Sequence, residues 1–344
     1  MIENSKTNIF SKNTFLDEYE NLQNNVPQAF WGDTHRYYDF VKYPFDYFQS
    51  KSQLRHKIGI LDDFEENDFF DYKIVPVEFD KLNEDLGSQD LKDNDFFKII
   101  SNVLGFDVSK AFDFYIHNSN KAIDKSFYAN ETTKFNDDCY ACYLPMHAFF
   151  RSRATPWGIY MFQNLIFERA AELYRIFKED ITKAKCLHFF WMSIYRHELY
   201  HYQIERYATK FEIAIQKPFY KPYVENVRYK VQGTRHWLEE ALAEASVLKS
   251  SLITHRTNIK KGLLKSIYEY DLQFAGPGYK DYKCEYYGGP EKANLYLGAQ
   301  ILTGKREPSH EITEFISPKY EYSSNDKAVP GYAIISKYDI ERFQ

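Results

Sequence analysis

The alternation of apolar and polar residues changes character twice along the chain. Lys73–Phe79 reads as a strand, with Pro76 consigning it to the margin of a sheet because proline cannot donate a ladder hydrogen bond. Asn83–Asp95 reads as a polar loop. Phe112–His117 alternates apolar and polar side chains and predicts a second strand, and Tyr143–Phe150 a third. Trp157–Phe162, after Pro156, predicts a strand that runs into a helix. From Asn164 to Lys178 the apolar positions Leu165, Ile166, Ala170, Leu173, Tyr174 and Phe177 follow a 3.6-residue period. Ile181–Ala214 is a long apolar helix or pair of helices, apolar all round in its middle and therefore buried. Pro218 and Pro222 break it; Trp237–His255 and Lys260–Phe274 are helical again, and Gly276-Pro277-Gly278 ends them. Beyond lie loops and strands, of which Gly331–Tyr338 is the clearest. Residues 1–60 are polar, aromatic and irregular, with short helices at most. There is no internal repeat.

The pattern predicts an α+β chain with a helical centre between two mixed flanks. It divides into an acidic accessory region over 1–150, a core over 151–275 and a C-terminal α+β region over 276–344. At 344 residues such a chain buries an ample core without disulfides.

Composition narrows the function classes. The net charge of −5 is unevenly spread: residues 1–95 carry 10 Lys+Arg against 20 Asp+Glu. That acidic third, with Asp62–Glu66 as a solvated run, argues against nucleic acid as a partner. Aromatic residues reach 18%. They come with abundant Asn, Lys and Ile, the signature of an AT-rich genome, and with no basic cluster for base stacking. The most apolar stretch, Cys186–Tyr195, is far shorter than a membrane span. Four cysteines (Cys139, Cys142, Cys186 and Cys284) and a polar N-terminus without an apolar leader point to a reducing cytoplasm. Cys139 and Cys142 form a lone CxxC, which without a second ligand pair is structural.

The chemistry concentrates in Tyr195-Arg196-His197-Glu198-Leu199-Tyr200-His201. His-Glu-x-x-His inside a helix sets two imidazoles at i and i+4 on one face, able to share one metal ion. Glu198 beside them is placed to act on a water. With 10 His among 344 residues, the pattern is expected by chance only about 0.02 times. Two His and a Glu in an apolar helix also need partners, since an unpaired buried polar group is costly.

A catalytic zinc takes a third protein ligand. The metzincin continuation fails here, because Tyr202–Ala208 holds neither Gly nor His. The better source is His236-Trp237-Leu238-Glu239-Glu240-Ala241-Leu242-Ala243-Glu244-Ala245. Glu240 and Glu244 share a face one turn apart, while Glu239 lies about 100° away. Glu240, flanked by Leu238, Ala241, Leu242 and Ala245, is the carboxylate that points inward. Glu244 is then placed to hold a ligand histidine in orientation.

His197-Glu198-x-x-His201 followed by Trp237-Leu238-x-Glu240-Ala241-Leu242-Ala243-Glu244 resembles the gluzincin class of zinc metallopeptidases. The resemblance covers roughly residues 157–250, with Ala241 where many members have Gly. It implies a zincin-like fold with Zn²⁺ on His197, His201 and Glu240. Glu198 becomes the catalytic base and Glu244 the acidic residue one turn on. It also implies an edge strand before the motif helix that pairs with extended substrate, for which Trp157–Phe162 is in the right order. A Tyr or His usually completes the oxyanion site in this class. The candidates are His236, Tyr279 and Tyr282, with His255 and Tyr286 as further ones.

The expected activity is hydrolysis of peptide bonds in a protein or peptide substrate, with no membrane partner. A protease in the cytoplasm must be restrained, which suggests a regulated effector such as a bacterial toxin or antiviral (phage-defence) protease. Two other readings compete. One is a catalytically inactive zincin-fold binding module. The other is an RNA-acting toxin using the C-terminal region, where Ser309–Ile312 and Val329–Tyr332 loosely match small RNA-cleaving toxins.

Overall fold

The computed structural model describes residues 72–86, 92–118, 140–145, 147, 158–215, 217–309 and 329–344. Its elements are, in order, β1 (Tyr72–Pro76), α1 (Phe79–Leu86), α2 (Asp93–Leu104), α3 (Val108–Asn118), β2 (Ala141–Leu144), β3 (Gly158–Phe162), α4 (Gln163–Phe177) and α5 (Lys183–Ile215). Then come α6 (Tyr220–Tyr223), a π-helical turn (Val224–Arg228), α7 (Tyr229–Val231), α8 (Leu238–Lys249), α9 (Ser251–Thr257), α10 (Lys261–Leu272), α11 (Pro290–Thr303), β4 (Gly331–Ser336) and α12 (Lys337–Phe343). The described chain is α+β: mostly helical, with one small sheet.

The four strands run in the order β1-β4-β3-β2. β4 pairs antiparallel with β1 and parallel with β3, and β2 pairs antiparallel with β3. Of the expected strands, those at Lys73–Phe79, Trp157–Phe162 and Gly331–Tyr338 supply β1, β3 and β4, and Tyr143–Phe150 is, among the described residues, a strand only at Tyr143 and Leu144, the end of β2. Pro76 lies in an outer strand, as its missing N–H requires. Two glycines permit close approach at one end of the sheet. At Gly158, with φ +138°, a Cβ would strike the Pro330 carbonyl oxygen; at Gly331 it would strike the Phe79 ring. Tyr160 and Tyr332 stack across β3 and β4, centroids 4.6 Å apart. Ile159, Met161, Ala333 and Ile335 face the main core with α4 and α5.

Helix α5 is the axis of the molecule. Every residue from Cys186 to Tyr195 is buried, so this stretch has no solvent face. The expected strand running into a helix is β3 followed by α4, and the expected long helix is α5, unbroken to Ile215.

Several expectations need correction. Phe112–His117 is not a strand. It belongs to α3, where Val108, Ala111, Phe112 and Tyr115 are buried at helical spacing and Tyr115 donates to Asp339 at 3.0 Å. A six-residue window is too short to separate the two periods. Asn83–Asp95 is not wholly a loop, because α1 runs to Leu86 and α2 starts at Asp93. β3 is not an edge strand either: β4 and β2 flank it, and β2 is outermost. Residues 276–309 hold helix α11 rather than strands, opened by Pro290 and closed by Gly304 in the left-handed region. The region 1–60, Asp62–Glu66, Cys139, Ala148–Phe150, Trp157 and His310–Ile312 lie outside the described residues. No helix among those described is long and apolar enough to cross a membrane.

One core residue makes stability pH-dependent. His188 on α5 is buried beside Phe96, and its Nε2 has no hydrogen-bond partner among the described residues. Burial, aided by the charge of Arg256, pushes its pKa down to about 3. The unfolded chain takes up this proton near pH 6.5 while the folded chain refuses it. Stability is therefore full above that pH and falls as pH drops below it. Between pH 7 and 5.5 the loss assigned to His188 is roughly 1 kcal/mol. His188→Leu should lessen the pH dependence of urea unfolding by that amount; an unchanged slope would refute the assignment.

Candidate metal centre

Two helices build the centre. α5 contributes His197, Glu198 and His201. After the break at Pro218 and Pro222 the chain returns, and the first turns of α8 contribute Glu239, Glu240 and Glu244. All six are buried. The start of α8 favours carboxylates, because the helix dipole is positive there.

His197 Nε2 lies 2.9 Å from Glu240 Oε2 and 3.2 Å from His201 Nε2. His201 Nε2 lies 3.3 Å from the same Glu240 oxygen. Three donor atoms therefore converge on one point, and His197, His201 and Glu240 form the metal-competent group among the described residues. Tetrahedral zinc with bonds of about 2.0–2.1 Å separates its ligand atoms by roughly 3.3 Å. The donor set and its spacing fit that ion.

The far sides of both rings are also held. His197 Nδ1 lies 2.9 Å from Glu244 Oε1, and His201 Nδ1 lies 2.6 Å from Glu239 Oε1. Each Nδ1–H that donates to a carboxylate fixes the tautomer with Nε2 turned to the shared point. Glu244 thus lies within hydrogen-bond distance of His197, the histidine contact expected of it. Tyr268 in turn donates its hydroxyl to Glu244, and Tyr223 donates to Glu239 at 2.6 Å. Arg228, at the end of the π-helical turn, brings Nε to 3.8 Å from Glu239 and Nη2 to 4.0 Å from Glu240.

The electrostatics follow from crowded carboxylates. Burial alone would push both imidazoles down, but Glu244 and Glu240 hold His197 well above its ordinary pKa. Glu240 and Glu239 likewise raise His201 to about 9. Burial works to raise Glu240, yet His201 and His197 bring it well below the carboxylate range. Glu239 ends lower as well, against burial, through Arg228 and His201. Glu198 goes the other way: burial raises it, and the two imidazoles only partly offset that. The carboxylates therefore favour positive charge on the two rings.

Glu198 and His197 open onto a cavity of about 280 Å³ that Tyr140 and Ala141, at the start of β2, also line. Of the candidates for oxyanion stabilisation, Tyr279 lines this cavity, its ring stacked on His197 at 5.8 Å. His236 does not line it; its ring is half-buried against Arg235 and Tyr286. Tyr282 donates to Glu269 at 2.7 Å instead. His255 and Tyr286 are exposed.

Sequence reasoning missed Glu239, Tyr223, Arg228 and Tyr268. Glu239 was legible in part. A centre seated between two adjacent positions of α8's first turn is reached by both, although their side chains diverge. Tyr223 and Arg228 arrive through an irregular helix that no periodicity announces, and Tyr268 from a helix with an ordinary pattern. Comparison with protein-family models, with curated proteins and with solved structures finds no match to this chain.

Proposed function

We propose that this chain is a zinc-dependent peptide hydrolase with a zincin-like core. One observation carries the reading. Nε2 of His197, Nε2 of His201 and a Glu240 oxygen meet at ligand spacing, with Glu198 beside them on a cavity. A zinc ion held there would polarise the substrate carbonyl and lower the pKa of water toward about 7.

The chain's own residues do the rest. Glu198 takes the proton of the attacking water and delivers it to the leaving amine. Glu239 and Glu244 keep the two rings in register, so no reorientation is needed during the reaction. Tyr279 is the candidate electrophile on the same cavity and takes the oxyanion role. Substrates are peptides or proteins presented in extended form. β2, one of the two edge strands of the described sheet and lining the cavity at Ala141, is the strand that aligns them.

Glu198 on the cavity speaks against an inactive binding module, which has no need of a base. The RNA-acting alternative draws on Ser309–Ile312 and Val329–Tyr332; His310–Ile312 lie outside the described residues, and Gly331 and Tyr332 are buried in β4 inside the sheet.

Metal content tests the proposal. Wild type should carry one zinc per chain by mass spectrometry, and His201→Ala and Glu240→Ala should carry none. Peptide cleavage should stop on chelation and return with zinc. Wild type that takes up no metal when zinc is offered would overturn it.

A further inference from the structure

We propose that Tyr223 and Arg228 are positioning residues of the metal centre: set side by side by the π-helical turn, they clamp Glu239, and Glu239 keeps His201 aimed at the shared point. This rests on the metal centre of the hydrolase proposal and adds to it two residues outside the gluzincin motif.

The turn explains how two such residues meet. Tyr223 ends α6, and Arg228 ends the π-helical turn five residues on. In an α-helix, residues five apart point about 140° away from each other. A turn bonded from i to i+5 brings them to one side instead, and here both reach the same oxygen. Tyr223 donates its hydroxyl to Glu239 Oε2 at 2.6 Å, and Arg228 brings Nε to 3.8 Å from it. The turn is itself anchored, because Tyr220, Tyr223, Val224 and Val227 are buried in one cluster with Leu238 and Leu242 of α8. The clamp therefore stands on the same packed unit as the carboxylate it holds.

The carboxylates divide their oxygens accordingly. Glu239 turns Oε1 to His201 Nδ1 at 2.6 Å and Oε2 to Tyr223 and Arg228. Glu240 turns Oε2 to the two imidazoles and Oε1 toward Arg228, whose Nη2 is 4.0 Å away. Arg228 thus stands behind both carboxylates, on the side away from the ligand point. At these distances it acts by charge rather than as a hydrogen-bond donor, and it offsets the repulsion between buried anions on successive residues. A Glu239 free to swing would carry the His201 ring with it; a hydroxyl and a guanidinium on its outer oxygen prevent that.

Charge alone and positioning predict opposite signs. If Arg228 only added positive charge beside a dication site, removing it would tighten zinc binding. If it fixes Glu239, removing it weakens zinc binding. The test measures zinc affinity of the full chain by competition with a chromophoric chelator, together with the visible absorption of the cobalt(II)-loaded protein. Arg228→Gln and Tyr223→Phe should each weaken zinc binding by about 10–100-fold and alter the cobalt bands. Arg228→Lys, which keeps the charge, should recover most of the affinity. With Glu239→Gln already in place, Arg228→Gln should have little further effect, because the group it acts through has lost its charge. Glu225→Gln, on the exposed side of the same turn, should bind zinc as wild type does. Should Arg228→Gln fail to fold, Tyr223→Phe, which removes a single hydroxyl, decides. Zinc binding that is unchanged or tighter in Arg228→Gln, unchanged in Tyr223→Phe, or weakened by Arg228→Gln as much with Glu239→Gln as without it, would overturn the inference and leave the hydrolase proposal standing. Wild type with no affinity for zinc would overturn both. Zinc-binding wild type without Glu198-dependent cleavage would overturn the hydrolase reading alone.

Discussion

Glu198→Gln should lower kcat/KM for peptide cleavage by at least about 10²–10⁴-fold while the protein keeps its full complement of zinc. The side chain keeps its shape and loses only its capacity to take a proton. Glu198 lies within the buried cluster, yet it makes none of the close contacts that join His197, His201 and Glu240. The metal ligands should therefore be undisturbed, which a one-zinc stoichiometry in the variant would establish. Wild-type turnover in Glu198→Gln would remove Glu198 as the base. Loss of zinc from it would show that the carboxylate belongs to the ligand set.

The largest effect on stability is expected farther along α5. His147, just beyond β2, sits between two carboxylates of that helix and is fully enclosed with them. Its Nδ1 contacts Glu205, and its Nε2 lies 2.9 Å from Glu212 Oε2. Tyr143 donates to Glu205 at 2.6 Å and the His147 backbone N–H at 2.7 Å. The backbone N–H groups of Phe219 and Tyr220 donate to Glu212. Such a pair need not stabilise more than an apolar replacement of the whole group would. Removing only its cation, however, strands buried charge. His147→Leu should cost about 3–5 kcal/mol by urea unfolding at pH 7. Adding Glu212→Gln should recover part of the loss.

The sign of the pH effect is fixed by the direction of the shift. Burial works against the charged ring, but Glu212 and Glu205 outweigh it and raise His147 to about 9. The folded chain holds this proton more tightly than the unfolded chain does. The contribution is therefore complete below about pH 6.5 and is lost as pH rises through about 9. The gap between wild type and His147→Leu should narrow over that interval. A gap that is constant, or under about 1 kcal/mol, would mean that the cluster does not hold β2 to α5.

What the sequence revealed and concealed divides along physical lines. The candidate ligand group was legible because His197 and His201 must share a helical face, and a buried pair needs a third donor. α5 and β3–α4 were legible because long periodic or wholly apolar stretches admit few alternatives. Phe112–His117 misled because Phe112, Phe114 and Ile116 alternate locally while the burial that decides is spread over two turns from Val108. α11 was hidden by its mixed composition, although the Pro290 and Gly304 that bound it are the usual asymmetric pair. The His147 cluster was beyond reach, since its members come from distant stretches and nothing local couples them.

The position of β4 also sets a timetable. It is the last strand of the sheet in sequence and an inner one in space, with β1 on one side and β3 on the other. During synthesis α5 and α8, with every candidate ligand, leave the ribosome before residues 331–336 exist. At about 5–20 residues per second, β3 waits roughly 10–30 s for its parallel neighbour. Until then β1 has no described partner, and the pairing that finally joins β3 to β4 is of the long-range parallel kind that forms slowly. The nascent chain thus carries all its candidate metal ligands well before β4 joins the sheet.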